Sequence, residues 1–264
     1  MRRFDYRIYP SLLDAFQRYK DSESQFDSFP NVNSEGEHTR SLEDIETENR
    51  ERLINMINRV PIPWTETEAM DRGTVFNRIV DQLSGNEPKD KDFVMDVDVK
   101  EDTLTVDYNK RRFIFPYEKC VEAGGYFMGS ECQVPVSSLI ATPMGIAELY
   151  GYIDELKRDT VYDIKTTSFY TFGKYQKAWQ KHLYTYCLHN SGDAKGIEGF
   201  EYSVFTLYKT AKGLINVKSF DKEYYSFDFE ESRAMLIDIV CQFAGFLETY
   251  RERITDTKIF GMDA

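Results

Sequence analysis

The segment GYIDELKRDTVYDIKTTS, residues 151–168, limits what this chain can fold into more than any other stretch. Apolar and polar residues alternate on both sides of a short charged break. This pattern predicts a β-hairpin with strands over 149–156 and 161–166 and a turn over 157–160. Side chains alternate faces along a strand, so Val161, Asp163 and Lys165 share one face and Tyr162, Ile164 and Thr166 the other. A symmetric two- or four-residue turn pairs Leu156 with Val161, and therefore Asp154 with Asp163. Like charges opposed on a sheet are destabilising, and at ~5 Å with an effective dielectric of ~20 the repulsion is roughly 3 kcal/mol. Either one carboxylate holds a proton or a cation lies between the two. Mg2+ takes oxygen ligands, typically one or two carboxylates together with substrate phosphate oxygens. A neighbouring lysine can hold or deprotonate a water and offset charge developing on a phosphate. The pattern therefore suits metal-assisted phosphodiester hydrolysis; an exposed hairpin with solvated charges is the alternative reading of the same spacing.

Gly151-Tyr-Ile-Asp154 running into Asp163-Ile-Lys165-Thr166 resembles the GxxD…DxKT core of the PD-(D/E)XK nuclease superfamily, in its RecB-type and phage recombination exonuclease branch. Gln180-Lys-His-Leu-Tyr184 is similar to the QxxxY motif of that branch, and Tyr9-Pro-Ser-Leu-Leu-Asp-Ala-Phe16 resembles its Ser-led opening helix. The likeness runs in motif order from Ser11 to Tyr184. It implies a restriction-endonuclease-like α/β fold, a central mixed β-sheet flanked by helices. It also implies a Mg2+- or Mn2+-dependent deoxyribonuclease, an exonuclease of DNA recombination, repair or phage DNA processing. Asp154, Asp163 and the main-chain carbonyl of Ile164 would then be metal ligands. Lys165 would orient the water and stabilise the pentavalent phosphate, and Gln180 and Tyr184 would position the site or the scissile strand.

The branch often carries a metal-binding His in a GxxxH helix. Here Gly73-Thr-Val-Phe-Asn77 fits the place, with Asn77 in the His position. An amide oxygen suits Mg2+ or Mn2+. Asp81, one turn later on the same helical face, is a second candidate, and an ordinary helix residue is the plain reading of Asn77. Glu131, heading the run ECQVPVSSL, would support the metal from behind or merely flank a strand end. The resemblance implies DNA as partner, with a recombinase, single-strand-binding protein or helicase as associates and a homo-oligomer as a further option. A noncatalytic DNA-end-binding or scaffold protein that keeps the fold, or a nuclease subunit active only with its partner, is the competing expectation.

Charge argues against simple attraction to DNA: 33 Lys and Arg against 45 Asp and Glu leave a net −12, which opposes long-range steering to phosphates. Much of the acidic excess lies in 21–51 and 87–102. A helix over 173–189 would align Lys174, Lys177 and Lys181 beside Gln180 and Tyr184, with Tyr175, Trp179, Leu183 and Tyr186 on the buried side. Such a stripe could hold phosphates or simply be solvated.

At 264 residues one elaborated domain is expected. It divides into an N-terminal helical region over 1–83, a β-rich insertion over 84–116 and the nuclease-like remainder. The hydrophobic fraction of 41% and aromatic fraction of 15% favour folding over disorder. No apolar run reaches about 18 residues, so no membrane span is expected; the N-terminus lacks an apolar h-region, and a cytoplasmic location is the expectation. Cys120, Cys132, Cys187 and Cys241 form no CxxC and match no zinc spacing. They also lack the C-terminal trio that holds an iron–sulfur cluster in some RecB-type relatives, so zinc and such a cluster are not expected, and the thiols should be reduced and structural. His38, His182 and His189 are too scattered for a zinc site, and His182 reads as a structural helix residue. Helices are expected at 11–20, at 41–58 (with Ser41 and Asp44 as a cap, and Pro61 and Pro63 as a stop), around Gly73 and Asn77, at 117–123 and at 229–253. Two or three strands fall in 93–115, and others at 131–139, 144–156, 161–166, 199–208 and 214–220.

Overall fold

Pro10 ends the first strand and starts the first helix: its fixed φ suits the first helical position, where its missing N–H would be unpaired in any case. Strand β1 is Tyr6–Ile8 and helix α1 is Pro10–Lys20. The structure, a computed structural model, describes residues 4–27, 31–86, 92–192 and 196–261. Helices α2 (Ser22–Phe26) and α3 (Leu42–Ile57) follow, the latter with the expected reciprocal cap between Ser41 and Asp44. Helix α4 spans Glu68–Leu83. Residues 84–116 contain β2 (Asp96–Asp98), β3 (Thr103–Tyr108) and β4 (Arg111–Pro116), a separate antiparallel three-stranded sheet. Helix α5, Tyr117–Tyr126, continues through Gly124 and Gly125, where a stop was expected. A Cβ at Gly124 would lie 2.5 Å from Leu83 Cβ, so this glycine serves close packing of α5 on α4.

The central sheet holds β1, β5 (Glu131–Thr142), β6 (Gly145–Lys157), β7 (Thr160–Thr167), β8 (Gly199–Lys209) and β9 (Ile215–Ser226). It is mixed: β1 runs parallel to β6 and β7 parallel to β8, whereas β5–β6, β6–β7 and β8–β9 are antiparallel. Helix α6, Gln180–Ser191, crosses from β7 to β8, and α7, Phe229–Thr249, follows β9.

The sheet lies between two cores. On one face Leu12, Phe16, Leu53, Leu183, Cys187, Ile239 and Phe243 from α1, α3, α6 and α7 cover Ile153, Val161, Tyr202 and Val204. On the other, Phe76 and Ile79 of α4, Phe115 of β4 and Cys120 of α5 cover Ile164, Phe205 and Leu207. The architecture is thus a mixed α/β fold with helices on both faces, and the three-stranded sheet β2–β4 closes the second core. No helix among the described residues is long and apolar enough to cross a membrane. All four cysteines are free thiols, and burial pushes Cys120 up to about 12.

Candidate active site

Strand β6 changes partners in mid-course. One flank pairs with β5; the other pairs with β1 over Ala147–Leu149 and with β7 over Glu155–Lys157. Between these ladders β6 has an open flank, and Asp154 lies at its end. The hairpin has the expected register, Leu156 opposite Val161, with Arg158 and Asp159 turning. The strands part beyond Glu155 and Tyr162, however, so Asp154 and Asp163 are not a ladder pair. The Asp154 carboxylate enters the sheet edge and its Oδ2 accepts the Ile164 N–H at 2.8 Å. On the opposite flank stands Gln133, skipped in the β5–β6 ladder and at φ +50°, a left-handed conformation uncommon for a residue with a side chain. The kink breaks the alternation of β6: Ile153 lies in the α6-side core while fully buried Glu155 accepts a hydrogen bond from Ser130 on the α5 side.

Alternation along β7 follows the expectation. Val161, Asp163 and Lys165 face α6, and Ile164 faces α4. Lys165 Nζ is 2.7 Å from Asp163 Oδ2 and lies over the rings of Tyr175 and Tyr202 at 5.9 and 5.8 Å. Asp14 of α1 reaches the same place, its Oδ1 accepting the Trp179 N–H at 2.8 Å.

Burial, then the neighbouring Asp163 charge, push Asp154 up to about 8 against the pull of Lys165 and the Ile164 N–H. Burial pushes Asp14 up to about 6. Burial acts to lower Lys165, but Asp163, Asp154 and Asp14 outweigh it and hold the ammonium above its ordinary value. The lysine is a fixed cation among three carboxylates, which makes it a charge stabiliser rather than a ready base.

Helix α4 closes the α4 side of the split. Gly73, Asn77 and Asp81 fall four residues apart and so share one helical face. A Cβ at Gly73 would lie 2.9 Å from Thr166 Oγ1, while Asp81 hydrogen-bonds Glu155 and acts electrostatically on Asp154. Asn77 therefore sits between two helix positions that meet the acidic strands. Its Oδ1 is buried and accepts no hydrogen bond, a cost of about 1–3 kcal/mol unless something else binds it.

Gln180 and Tyr184, expected beside a surface stripe, are buried at the start of α6. Gly151 explains Tyr184: a Cβ there would lie 2.6 Å from its Cε1. The ring passes over bare backbone, and its hydroxyl is within electrostatic reach of Asp163, Asp154 and Asp14. A Gly151→Ala variant is expected to lose about 1–3 kcal/mol through overpacking and to displace the Tyr184 ring. Urea denaturation measures the loss, and wild-type stability would mean that the ring is not confined by the glycine.

The lysine stripe over 173–189 does not form. The helix begins only at Gln180: upstream the Gln176 N–H bonds the Gly173 carbonyl and the Ala178 N–H the Tyr175 carbonyl in tight turns. The Trp179 N–H, which a continuous helix would give to Tyr175, goes to Asp14 instead. The three lysines part company. Lys174 Nζ bonds Thr167 Oγ1 and the Phe169 carbonyl, Lys177 pairs with Asp21, and Lys181 bonds the Gln176 carbonyl. Glu131 is exposed at the head of β5, opposite Leu156, while the buried acid behind the site is Glu155. His182 Nδ1 lies 3.0 Å from Ser232 Oγ on α7, consistent with a structural residue. Asp14 and Glu155 escaped the sequence reading. Asp14 carried no signal, since it lies on the polar face of α1 with Ser11, Gln17 and Arg18; Glu155 carried none beyond adjacency to Asp154.

Among the described residues, no three His, Cys, Asp or Glu side chains converge as a metal-binding group. The donors present are the Asp154 and Asp163 carboxylates, the Ile164 carbonyl and the orphaned Asn77 amide oxygen. This all-oxygen set is of the type that suits Mg2+ or Mn2+, and a cation would relieve the carboxylate repulsion.

Fold and site define a mixed α/β protein with a buried, acidic, lysine-bearing cluster where the central sheet splits. No protein-family model matches the chain, and no curated protein matches it. One similar solved structure is "Crystal structure of SSO0001", with 15% identity and a TM-score of 0.32 over 47% of this chain and 52% of that one. The chain spans about half the length of that structure, and a likeness this slight carries no argument.

Proposed function

We propose that this chain is a divalent-metal-dependent deoxyribonuclease of the PD-(D/E)XK type, with a restriction-endonuclease-like core. The observation that carries the reading is the splayed β6–β7 junction, where two carboxylates and one lysine cluster in a way that folding alone does not require. Asp154, Asp163, the Ile164 carbonyl and Asn77 would hold Mg2+ or Mn2+, which when bound supplies Lewis-acid activation of water and phosphate. Lys165 places a permanent positive charge where a pentavalent phosphate gathers negative charge. The Tyr184 ring and buried Gln180 fix the wall against which the scissile strand lies, and Asp14 holds the start of α6 by its bond to the Trp179 N–H.

Incubation of the protein with end-labelled linear and closed circular DNA, with Mg2+ or Mn2+, tests the reading. Loss of the linear form alone marks an exonuclease and cutting of the circle an endonuclease. If neither DNA is cut while Mn2+ binding is absent by calorimetry, the proposal fails. Asn77→Ala is expected to raise the Mn2+ concentration for half-maximal cleavage about tenfold, the scale seen when groups supporting a metal site are removed. An unchanged requirement would return Asn77 to the role of an ordinary helix residue.

A further inference from the structure

The segment joining Lys165 to α6 carries two phenylalanines outward. Phe172 is 85% exposed, the most exposed large apolar side chain among the described residues, and Phe169 is 70% exposed. The backbone beneath them is clamped. Thr167 Oγ1 donates to the Phe169 carbonyl at 2.8 Å, Lys174 Nζ donates to the same carbonyl at 2.8 Å, and the Gly173 N–H donates to Glu223 Oε1 at 2.7 Å. Tyr170, between the two phenylalanines, points the other way and donates to Glu223, whose second oxygen accepts from Tyr225. The loop therefore spends a buried carboxylate, a lysine and a tyrosine on holding two apolar rings in water. Phe169 lies only four residues beyond Lys165, at most about 14 Å along an extended chain.

We infer that Phe169 and Phe172 form a stacking platform for unpaired bases of the strand entering the proposed site, so that the substrate end is single-stranded or frayed. The inference rests on the nuclease reading and adds the substrate class. Bases inside a duplex are stacked on both faces and its terminal pair offers only one, so two rings in succession are served by unpaired bases, whatever their sequence. Nucleic acid is the occupant favoured over a protein because the rings stand on a braced loop within a few residues of the proposed catalytic lysine along the chain.

Stacking on one aromatic side chain is worth roughly 5- to 150-fold in affinity. Fluorescence anisotropy compares a labelled single-stranded oligonucleotide with an abasic strand of equal length, with and without Ca2+. The wild-type chain is expected to bind the base-bearing strand about tenfold more tightly or better. In the Phe169→Ala/Phe172→Ala double variant that preference should vanish while abasic affinity stays unchanged, and Phe172→Tyr should retain it. Equal wild-type affinity for the two strands, alongside cleavage of linear DNA, overturns the platform and leaves the nuclease reading standing. A double variant that alters sedimentation but not DNA binding overturns it in favour of a protein contact. Failure of the wild type to bind or cut any DNA overturns both.

Discussion

Lys165→Met is expected to lower the rate of DNA cleavage about a thousandfold or more, since it removes the fixed cation from the place where transition-state charge develops. It should also cost stability. Asp163, Asp154 and Asp14 share this ammonium, and removing one partner from a deeply buried ion pair costs roughly 3–5 kcal/mol. The Lys165 side chain keeps 22% of its exposure, so solvent should reduce the loss to about 1–3 kcal/mol. Asp163→Asn gives the informative contrast. It loses a comparable share of activity, but it removes a charge that repels Asp154 and leaves Lys165 beside the acids Asp154 and Asp14, so its stability loss should be smaller. Single-turnover cleavage and denaturant melts on both variants separate chemistry from folding. Wild-type rates in both would eliminate the proposed mechanism.

Without a divalent ion, stability is expected to fall as pH rises from about 6.5 to 8. Asp154 keeps its proton in the folded protein up to about 8, whereas the unfolded chain releases it near the ordinary value of 3.8. Over that interval the folded state binds more protons, and the stability this proton contributes is complete at low pH and exhausted near pH 8. The slope approaches about 1.4 kcal/mol per pH unit for one proton. Buried Glu155, raised chiefly by burial, acts in the same direction. His182 acts oppositely but only below about pH 6.5, because burial holds it down to about 4 and the unfolded chain takes up its proton first. Carboxylates held low by partners, such as Glu51 beside Arg253, contribute stability already complete above the ordinary carboxylate range. Mn2+ competes with the Asp154 proton, so it should raise the melting temperature more at pH 8 than at pH 6.5. Asp154→Asn should flatten both dependences. Metal-free stability that rises over this interval, or an equal Mn2+ shift at both values, would contradict the acidic cluster described here.

The sheet, the hairpin and much of the helical scaffold were legible in the chain because their causes are local. Alternation at Val161, Asp163 and Lys165 assigns faces, Arg158 and Asp159 close a two-residue turn, and Ser41 with Asp44 caps α3. The lysine stripe was misread because helical periodicity cannot register a competing tertiary bond. Asp14 takes the Trp179 N–H from 165 positions away, a donor that a helix over 173–189 would give to the Tyr175 carbonyl.

From the sequence alone came the two acids, the lysine on the face of the second, and the glycines at 73 and 151 as motif positions. Their convergence was decided by tertiary structure. The parting of β6 from β7 needs β1 on one flank and left-handed Gln133 on the other, and Asp14 enters through a bond to Trp179, 165 positions along the chain. Short-range preferences of the backbone choose strands and turns; which distant carboxylates must share one desolvated space is set only when the sheet and its covering helices close over them.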